Sequence, residues 1–337
     1  MVARVSGMAL LLASLLFAAP ALGQVTVLDQ AQDAAAQAAG APPPICGTQP
    51  IIIARMAWPS AELLAEIHAR ILRAEFNCEV SVAPGDLAAT GSSMGSTGQP
   101  AVAPEMWVTR IADVWNAGID AQMIRPAAAT FTENQFEGWF VPDYLAAERP
   151  QLLQASGLAA ALAGGALVRF ISCPADWACA VVNRNLITAL GLSDQVELVE
   201  PANRLEMDRM IGEVVSRHEP ALFYYWQPNA VLAQFNFVPV DLGAYDPEKA
   251  KCLAQVSCPN PEASAFPEET VVIALADWVF TEAPAIAGYF QRSSIGLGEM
   301  NELMAQLSEP GATVEAVAER FVAERGDIWR SWVGTAP

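Results

Sequence analysis

Three tryptophans of the 337-residue chain, Trp107, Trp177 and Trp226, lie in segments that each have the pattern of a strand end. An aromatic face attracts a cation that is too heavily substituted to donate hydrogen bonds, as a quaternary ammonium group is. Three indoles brought together by such strands would form an aromatic cage. The pattern therefore predicts that the chain captures a methylated ammonium compound.

The elements that must position these tryptophans alternate between strands and helices, which is typical of a mainly parallel sheet with helices on its faces. The predicted strands are 51–56, 78–82, 101–106, 138–142, 168–172, 197–199, 221–226 and 270–276, and the predicted helices are 60–74 (with Ser60 as N-cap), 178–190 and 205–216. A stretch rich in glycine, serine and threonine, 90–98, separates two of the strands. Since ligands bind at the carboxyl ends of strands in open α/β sheets, this edge is the predicted site.

The chain after residue 44 is long for one domain, which favours two lobes. We predict that residues 45–140 and 267–337 form lobe 1 and that residues 141–266 form lobe 2. The chain then crosses twice between the lobes, and two crossings make a hinge. A hinged pair of α/β lobes is suited to closing on a small solute.

The N-terminal segment predicts export. Residues 1–23 have a basic start, a short apolar core and small residues before Gln24, which is typical of a signal peptide. Residues 24–44, rich in alanine, glutamine and proline, predict a disordered arm.

The net charge is -19 with only 18 lysines and arginines, which excludes a surface that tracks nucleic-acid phosphates. We therefore expect a periplasmic protein that binds no nucleic acid.

The six cysteines of an exported chain predict disulfides rather than a metal site. Spacing favours two local pairs, Cys173 with Cys179 and Cys252 with Cys258, and leaves Cys46 to pair with Cys78, although sequence alone leaves the connectivity open. The chain has only two histidines, and neither is near a cysteine pair. We expect no metal and no cofactor.

Three stretches carry a resemblance to a known family: 106–107 (MW), 172–179 (SCPADWAC) and 222–228 (LFYYWQP). From about residue 50 to its C-terminus the chain resembles the glycine-betaine-binding proteins of osmoprotectant ABC transporters. This resemblance implies a two-lobed periplasmic-binding fold, a ligand cage made of Trp107, Trp177 and Trp226, and a membrane permease as partner. We expect the protein itself to be a monomer.

A betaine also has a carboxylate, and the start of a helix at residue 178 predicts where it binds. The N–H groups of Ala178 and Cys179 are unpaired in a helix that begins there, at the positive end of the helix dipole. A disulfide from Cys173 to Cys179 would hold this turn rigid for binding, or it would serve only to stabilise the loop. Asp176 either caps this helix or disfavours an anionic group there.

Two positions depart from the family pattern. Some betaine binders have a histidine that holds the carboxylate four residues after the first cage tryptophan, and here Ile111 takes its place, with Arg110 or Thr109 as substitutes. Choline binders of this type have an acid two residues after the tryptophan of the first strand, and here Ser60 takes its place. Choline is therefore less favoured than a betaine.

Two further tryptophans are additional candidates for the cage. Trp58 leaves the first strand immediately before a helix and so points toward the same sheet edge, although core packing competes with this role. Trp139 lies at the first crossing between the lobes, where a fourth cage wall and a hinge-packing role compete.

Two other classes of function compete with a transport protein. A sensor that binds choline, carnitine or another methylated solute would use the same cleft. A secreted hydrolase has only the stretch 91–95 (GSSMG) in its favour, which lacks the strand-to-helix context of a nucleophile turn and has no histidine partner. We therefore predict no enzyme activity.

Overall fold

The computed structural model describes residues 44–163, 165 and 167–334. The predicted signal peptide and all but the last residue of the predicted arm lie outside these residues. The strands are β1 (Ile51–Met56), β2 (Val80–Gly85), β3 (Val102–Trp107), β4 (Ile124–Ala129), β5 (Glu137–Pro142), β6 (Val168–Ile171), β7 (Val196–Val199), β8 (Ala221–Trp226), β9 (Phe237–Pro239) and β10 (Val271–Ala276).

Helices cover both sheets. The α-helices are α1 (Pro59–Glu75), α2 (Leu87–Thr97), α3 (Ala112–Asp120), α4 (Asp143–Glu148), α5 (Ala155–Leu162), α6 (Ala178–Ala189), α7 (Arg204–Ser216), α8 (Val231–Gln234), α9 (Pro247–Leu253), α10 (Asp277–Glu282), α11 (Pro284–Phe290), α12 (Leu297–Leu307), α13 (Val314–Glu324) and α14 (Gly326–Val333). Two 3-10 helical turns span Val108–Ile111 and Pro150–Leu153. Within the described part of the chain, no helix combines the length and the apolar character that a membrane crossing requires.

The two five-stranded sheets share one plan. The first has the order β2-β1-β3-β10-β4 and the second β7-β6-β8-β5-β9. In each sheet one strand, β10 or β5, runs antiparallel to both of its neighbours, and the other four run in one direction. Each of these two strands is the first strand after the chain crosses between the sheets. It therefore begins at the sheet edge where the other four strands end. The structure confirms the predicted two-lobed α/β fold with mainly parallel sheets.

The first crossing lies earlier in the chain than the predicted lobe boundary. That boundary, between residues 140 and 141, falls inside β5. The whole of β5 belongs to the second sheet, because it pairs with β8 on one side and with β9 on the other. The chain therefore passes to the second sheet at residues 130–136. It returns to the first sheet between Phe266, which still packs in the second-lobe core, and the start of β10 at Val271.

Each sheet has its own hydrophobic core. Neighbouring residues of β1 serve different faces of the first sheet, since Ile53 packs with α1 and the C-terminal helices while Ala54 packs with Trp115 of α3. This is the two-residue alternation of a strand that is covered on both sides. The second sheet packs around a separate cluster that includes Phe170 and Phe223.

The stretch 90–98, interpreted from its composition as a break between strands, is helical as far as Thr97 and belongs to α2, with Gly98 as the C-cap. The Asp86 side chain caps this helix by accepting a hydrogen bond from the Ala89 N–H, 3.1 Å away. Small residues let α2 lie close to α3, because a Cβ added at Gly95 would be 3.3 Å from the Cα of Gly118. Glycine therefore serves helix packing here, and its low helix propensity is overridden.

The start of α1 also differs from the prediction. The helix begins at Pro59 with Trp58 in the N-cap position, and no side chain caps it. Proline suits the first turn because it has no N–H to leave unpaired. Ser60 is therefore not the N-cap. Its hydroxyl is buried and donates instead to Glu105 Oε1, 3.1 Å away.

Candidate functional site

A cavity of about 1230 Å³ lies between the two lobes, at the edges where β1, β3, β6 and β8 end. Six of the predicted ligand-binding residues line it: Trp58, Trp107, Trp177, Ala178, Cys179 and Trp226. Trp58 and Trp107 follow or end strands of the first sheet, and Trp226 ends a strand of the second. The topology therefore brings these tryptophans to one cavity, from both lobes.

The second lobe contributes a pair of indoles. The ring centroids of Trp177 and Trp226 are 5.4 Å apart, with 57° between the planes. Tyr225 stacks on Trp226 at 4.7 Å and 7° and is itself fully buried, so it supports this ring from within the lobe. Trp177 is 36% exposed, which leaves its surface accessible from the cavity.

The first lobe contributes Trp107, whose side chain is 8% exposed and contacts Phe136 edge-on at 4.8 Å. The guanidinium carbon of Arg110 lies 4.4 Å from the Trp107 ring centroid. This is a cation–π contact made by the protein itself. A ligand cation can use the face that Arg110 covers only if the guanidinium moves away.

Arg110 and Thr109, the two substitutes proposed for the missing histidine, both bind Glu269. Arg110 does so through Nε and Nη2, with distances of 2.7 to 3.2 Å, and the Thr109 hydroxyl donates to Glu269 Oε2 at 3.2 Å. Ile111 is half-buried and packs against the cluster that includes α3. Thr109 and two of the guanidinium nitrogens are thus already engaged with a carboxylate of the protein.

Glu105 is a functional candidate that the sequence analysis missed. Its side chain is fully buried at the cavity, and its Oε1 accepts hydrogen bonds from Trp58 Nε1 at 2.7 Å and Trp107 Nε1 at 2.9 Å as well as from Ser60. Oε2 has no partner among the described residues. Burial raises the pKa of Glu105 to about 7, and the three hydrogen bonds and Arg110 oppose the rise. An acid inside the buried strand β3 was the available signal.

A second acid faces the cavity from the other lobe. Glu137, in β5, accepts a hydrogen bond at Oε2 from the Tyr224 hydroxyl, 2.9 Å away. Burial raises the pKa of Glu137, and the Tyr224 hydrogen bond opposes the rise. The cavity thus has a carboxyl group on each lobe that can face a cationic solute, and its lining also includes Arg110, Arg204 and Lys251.

The N-terminus of α6 offers backbone donors to the same cavity. Trp177 occupies its N-cap position without a side-chain cap. No acceptor is bonded to the N–H groups of Ala178 and Cys179 in the described residues. Unpaired N–H groups at the positive end of a helix dipole bind carboxylates. Asp176 is exposed and does not cap the helix, so the capping role considered for it is wrong.

Disulfides link Cys173 to Cys179, Cys252 to Cys258 and Cys46 to Cys78. The first of these encloses the turn that carries Trp177 and leads into α6. It therefore ties one predicted cage wall and the unpaired N–H groups to the end of β6.

Trp139, considered above as a fourth wall of the cage, lies in the core of the second lobe. It is fully buried in the core of the second lobe, donates from Nε1 to Asn183 Oδ1 at 2.8 Å and contacts Phe170 edge-on at 4.5 Å. It does not line the cavity. Its strand places it on the face toward α6, so it is a core residue and not a fourth wall.

Comparisons with known proteins agree with this architecture. A model of the family described as the substrate-binding domain of ABC-type glycine betaine transport systems matches residues 49–324. No curated protein sequence matches the chain. Among solved structures, apo YehZ from Escherichia coli is similar with a TM-score of 0.59 at 14% identity, covering 83% of this chain and 99% of that one.

Two further solved structures are similar at the level of the fold. Lactococcal OpuAC in its closed form with glycine betaine has a TM-score of 0.50 at 14% identity and covers 85% of this chain and 100% of its own. The glycine betaine and L-proline-binding protein ProX from Borrelia burgdorferi has a TM-score of 0.50 at 14% identity, with 85% and 97% covered.

Proposed function

Because the chain belongs to the family of substrate-binding domains of ABC-type glycine betaine transport systems, we propose that it captures a quaternary ammonium compound outside the cytoplasm. Glycine betaine or a related betaine is the proposed ligand. The protein then delivers it to the permease of an ABC transporter. The export expected from residues 1–23 is part of this proposal.

The observation that carries the proposal is the composition of one cavity. Trp58 and Trp107 line it from the first lobe, and Trp177 and Trp226 line it from the second. Indole faces attract a methylated ammonium group without needing a hydrogen bond from it. Because the walls come from both lobes, closure about the hinge would surround the ammonium on several sides.

The other end of a betaine needs a donor site, and the start of α6 supplies one. The N–H groups of Ala178 and Cys179 are adjacent to Trp177, so a ligand held against this indole is within reach of them. An ammonium at the tryptophans and a carboxylate at the helix would place the two charges of a betaine on complementary groups.

A thermal unfolding panel tests the class of ligand. Glycine betaine, choline, carnitine and proline betaine are compared with glycine, which shares the carboxylate of glycine betaine but has no methyl groups. At about 100 times Kd a ligand stabilises the native state by about 2.7 kcal/mol, so Tm should rise by several degrees. We expect a rise with glycine betaine and none with glycine. A rise of equal size with glycine, or none across the panel, would contradict the proposal.

The disulfide at the start of α6 allows a second prediction. Replacing Cys173 and Cys179 together with serine should lower the free energy of unfolding by about 2 kcal/mol, because the bond closes a short loop. It should also weaken glycine betaine binding by about tenfold, because a looser turn must be ordered when the ligand binds. Chemical denaturation and calorimetric titration measure the two effects.

The control replaces Cys46 and Cys78, a disulfide of the first lobe in which neither cysteine lines the cavity. This pair closes a longer loop and should lose at least as much stability, while its affinity stays within about threefold of the wild-type value, a difference of under about 1 kcal/mol. Equal losses of affinity in both variants would show that the turn at Trp177 has no special part in binding.

A further inference from the structure

Among the described residues, Glu105 is the one acid whose side chain is fully buried. It lies at the cavity with no exposed surface, and its Oε1 accepts hydrogen bonds from two indole N–H groups. Its second oxygen, Oε2, has no hydrogen-bond partner among the described residues. Burying a charged oxygen without a partner is unfavourable, so such a group in a binding cavity points to a partner that arrives with the ligand.

The charged groups around Glu105 do not neutralise it. The charge of Arg110 lowers the pKa of Glu105, and the Arg110 guanidinium is paired with Glu269. On neighbouring elements, Arg55 of β1 pairs with Glu62 of α1, as well as with Glu66 and Glu315. His68 of α1 bonds to the hydroxyl of Tyr289. β10 and α2 contain no ionisable side chain. The first lobe therefore presents an excess negative charge at the cavity.

We propose that Glu105 is a positioning and specificity residue of this cavity: Oε1 fixes the indoles of Trp58 and Trp107, and Oε2 faces the cationic group of the ligand. This inference rests on the proposed function, because it requires a cationic ligand between the tryptophans. Glu105 selects for cations by charge, whereas the indoles select by the shape and polarisability of the methylated group.

The geometry gives Glu105 two effects on binding. A carboxylate that accepts the N–H of an indole fixes the ring orientation and shifts electron density toward its π face, since linked polar groups polarise one another. The carboxylate also attracts the ammonium directly, and this attraction is strong where water is excluded. The direct attraction requires the charged form of Glu105, and the charged form also polarises the indoles more strongly than a neutral acid does.

Proton linkage distinguishes this role from a structural one. A bound cation favours the charged form of Glu105, so it lowers the pKa of a carboxyl that titrates near pH 7 in the free protein. Binding at pH 7 should therefore release a fraction of a proton. For the same reason affinity should fall as the pH drops below about 7, because the proton must leave before the cation binds.

The experiment is calorimetric titration with glycine betaine at pH 7 in phosphate and in imidazole buffer, whose ionisation enthalpies differ. For the wild-type protein we expect an apparent enthalpy that depends on the buffer, with the sign of proton release. Glu105→Gln keeps the shape and one acceptor oxygen but removes the charge. It should lower affinity by about tenfold or more and remove most of the buffer dependence.

Two variants serve as controls. Glu324→Gln removes the same charge from an exposed position on α13, which contributes no residue to the cavity, and it should keep both the affinity and the proton release. Glu137→Gln removes the half-buried acid that lines the cavity from the second lobe, and it should keep the part of the proton release that comes from Glu105. If release disappears in Glu137→Gln and persists in Glu105→Gln, the inference is overturned.

The possible outcomes separate the two proposals. If the wild-type protein binds no methylated ammonium compound, the proposed function fails and this inference fails with it. If it binds glycine betaine but Glu105→Gln binds equally well with the same proton release, only the inference fails. Should Glu105→Gln not fold, Trp58→Phe removes one donor to Oε1 and should move the pH profile of binding upward. An unchanged profile would overturn the inference.

Discussion

Glycine betaine binding should fall by about a thousandfold when Trp177 and Trp226 are both replaced with alanine, because two desolvated cation–π contacts contribute about 2 kcal/mol each. The centroids of the two rings are 5.4 Å apart, and both rings line the cavity from the second lobe. Each single variant should lose about thirtyfold. Calorimetric titration of the three variants against glycine betaine measures the losses.

The stability of the same variants serves as the control. Trp177 is 36% exposed, so Trp177→Ala should change the free energy of unfolding by about 1 kcal/mol or less. Trp177→Phe retains a π face and should recover part of the affinity. If the double alanine variant binds glycine betaine as tightly as the wild-type protein, these indoles are not a cage.

Replacing Trp139 with alanine should reduce stability and leave affinity nearly unchanged. We expect a loss of about 3 to 5 kcal/mol in the free energy of unfolding. Its side chain is fully buried between Phe170 and the second-lobe core, and its N–H is bonded to Asn183. Removing it would leave a large cavity and an amide oxygen without its donor. Chemical denaturation at a temperature where both proteins fold measures the difference.

Affinity provides the discriminating readout for Trp139. The fraction of Trp139→Ala that is folded should bind glycine betaine with near wild-type affinity, because the residue does not line the cavity. If the variant keeps its unfolding midpoint and loses binding instead, Trp139 would be a ligand-contacting wall.

The positions of the tryptophans at strand ends could be predicted because they depend on local patterns. The apolar runs at β1 and β8 coincide with the predicted strands, and each carries an aromatic residue at or just after its last position. Given a mainly parallel sheet, the carboxyl ends of such strands meet at one edge. This is enough to bring Trp58 and Trp226 to the cleft without knowing any contact between the lobes.

Other features depend on contacts between distant residues and could not be predicted from local patterns. Glu105 looks like one acid in an apolar strand until the indoles of Trp58 and Trp107 converge on it across the sheet. The strand β4 could not be predicted from the sequence because Arg125 and Pro126 interrupt its apolar pattern. The helix α2 forms in a glycine-rich segment because its small residues fit against α3, which is a tertiary effect.

The orientation of Trp139 is another such feature. Its strand is apolar at several consecutive positions, so the pattern does not show which face meets the core and which meets the cavity. The partners that decide this, Phe170 and Asn183, come from a strand and a helix later in the chain. A single residue near a crossing therefore fits both roles until the sheet is assembled.

The most direct test of the account is calorimetric titration of the disulfide-bonded protein with glycine betaine, with glycine titrated under the same conditions. We predict saturable 1:1 binding of glycine betaine with a Kd of about 10 µM or tighter, which corresponds to about -7 kcal/mol, and no detectable heat with glycine. Equal binding of both compounds would mean that the carboxylate alone is recognised. No binding of glycine betaine or any other methylated ammonium compound would contradict the tryptophan cage.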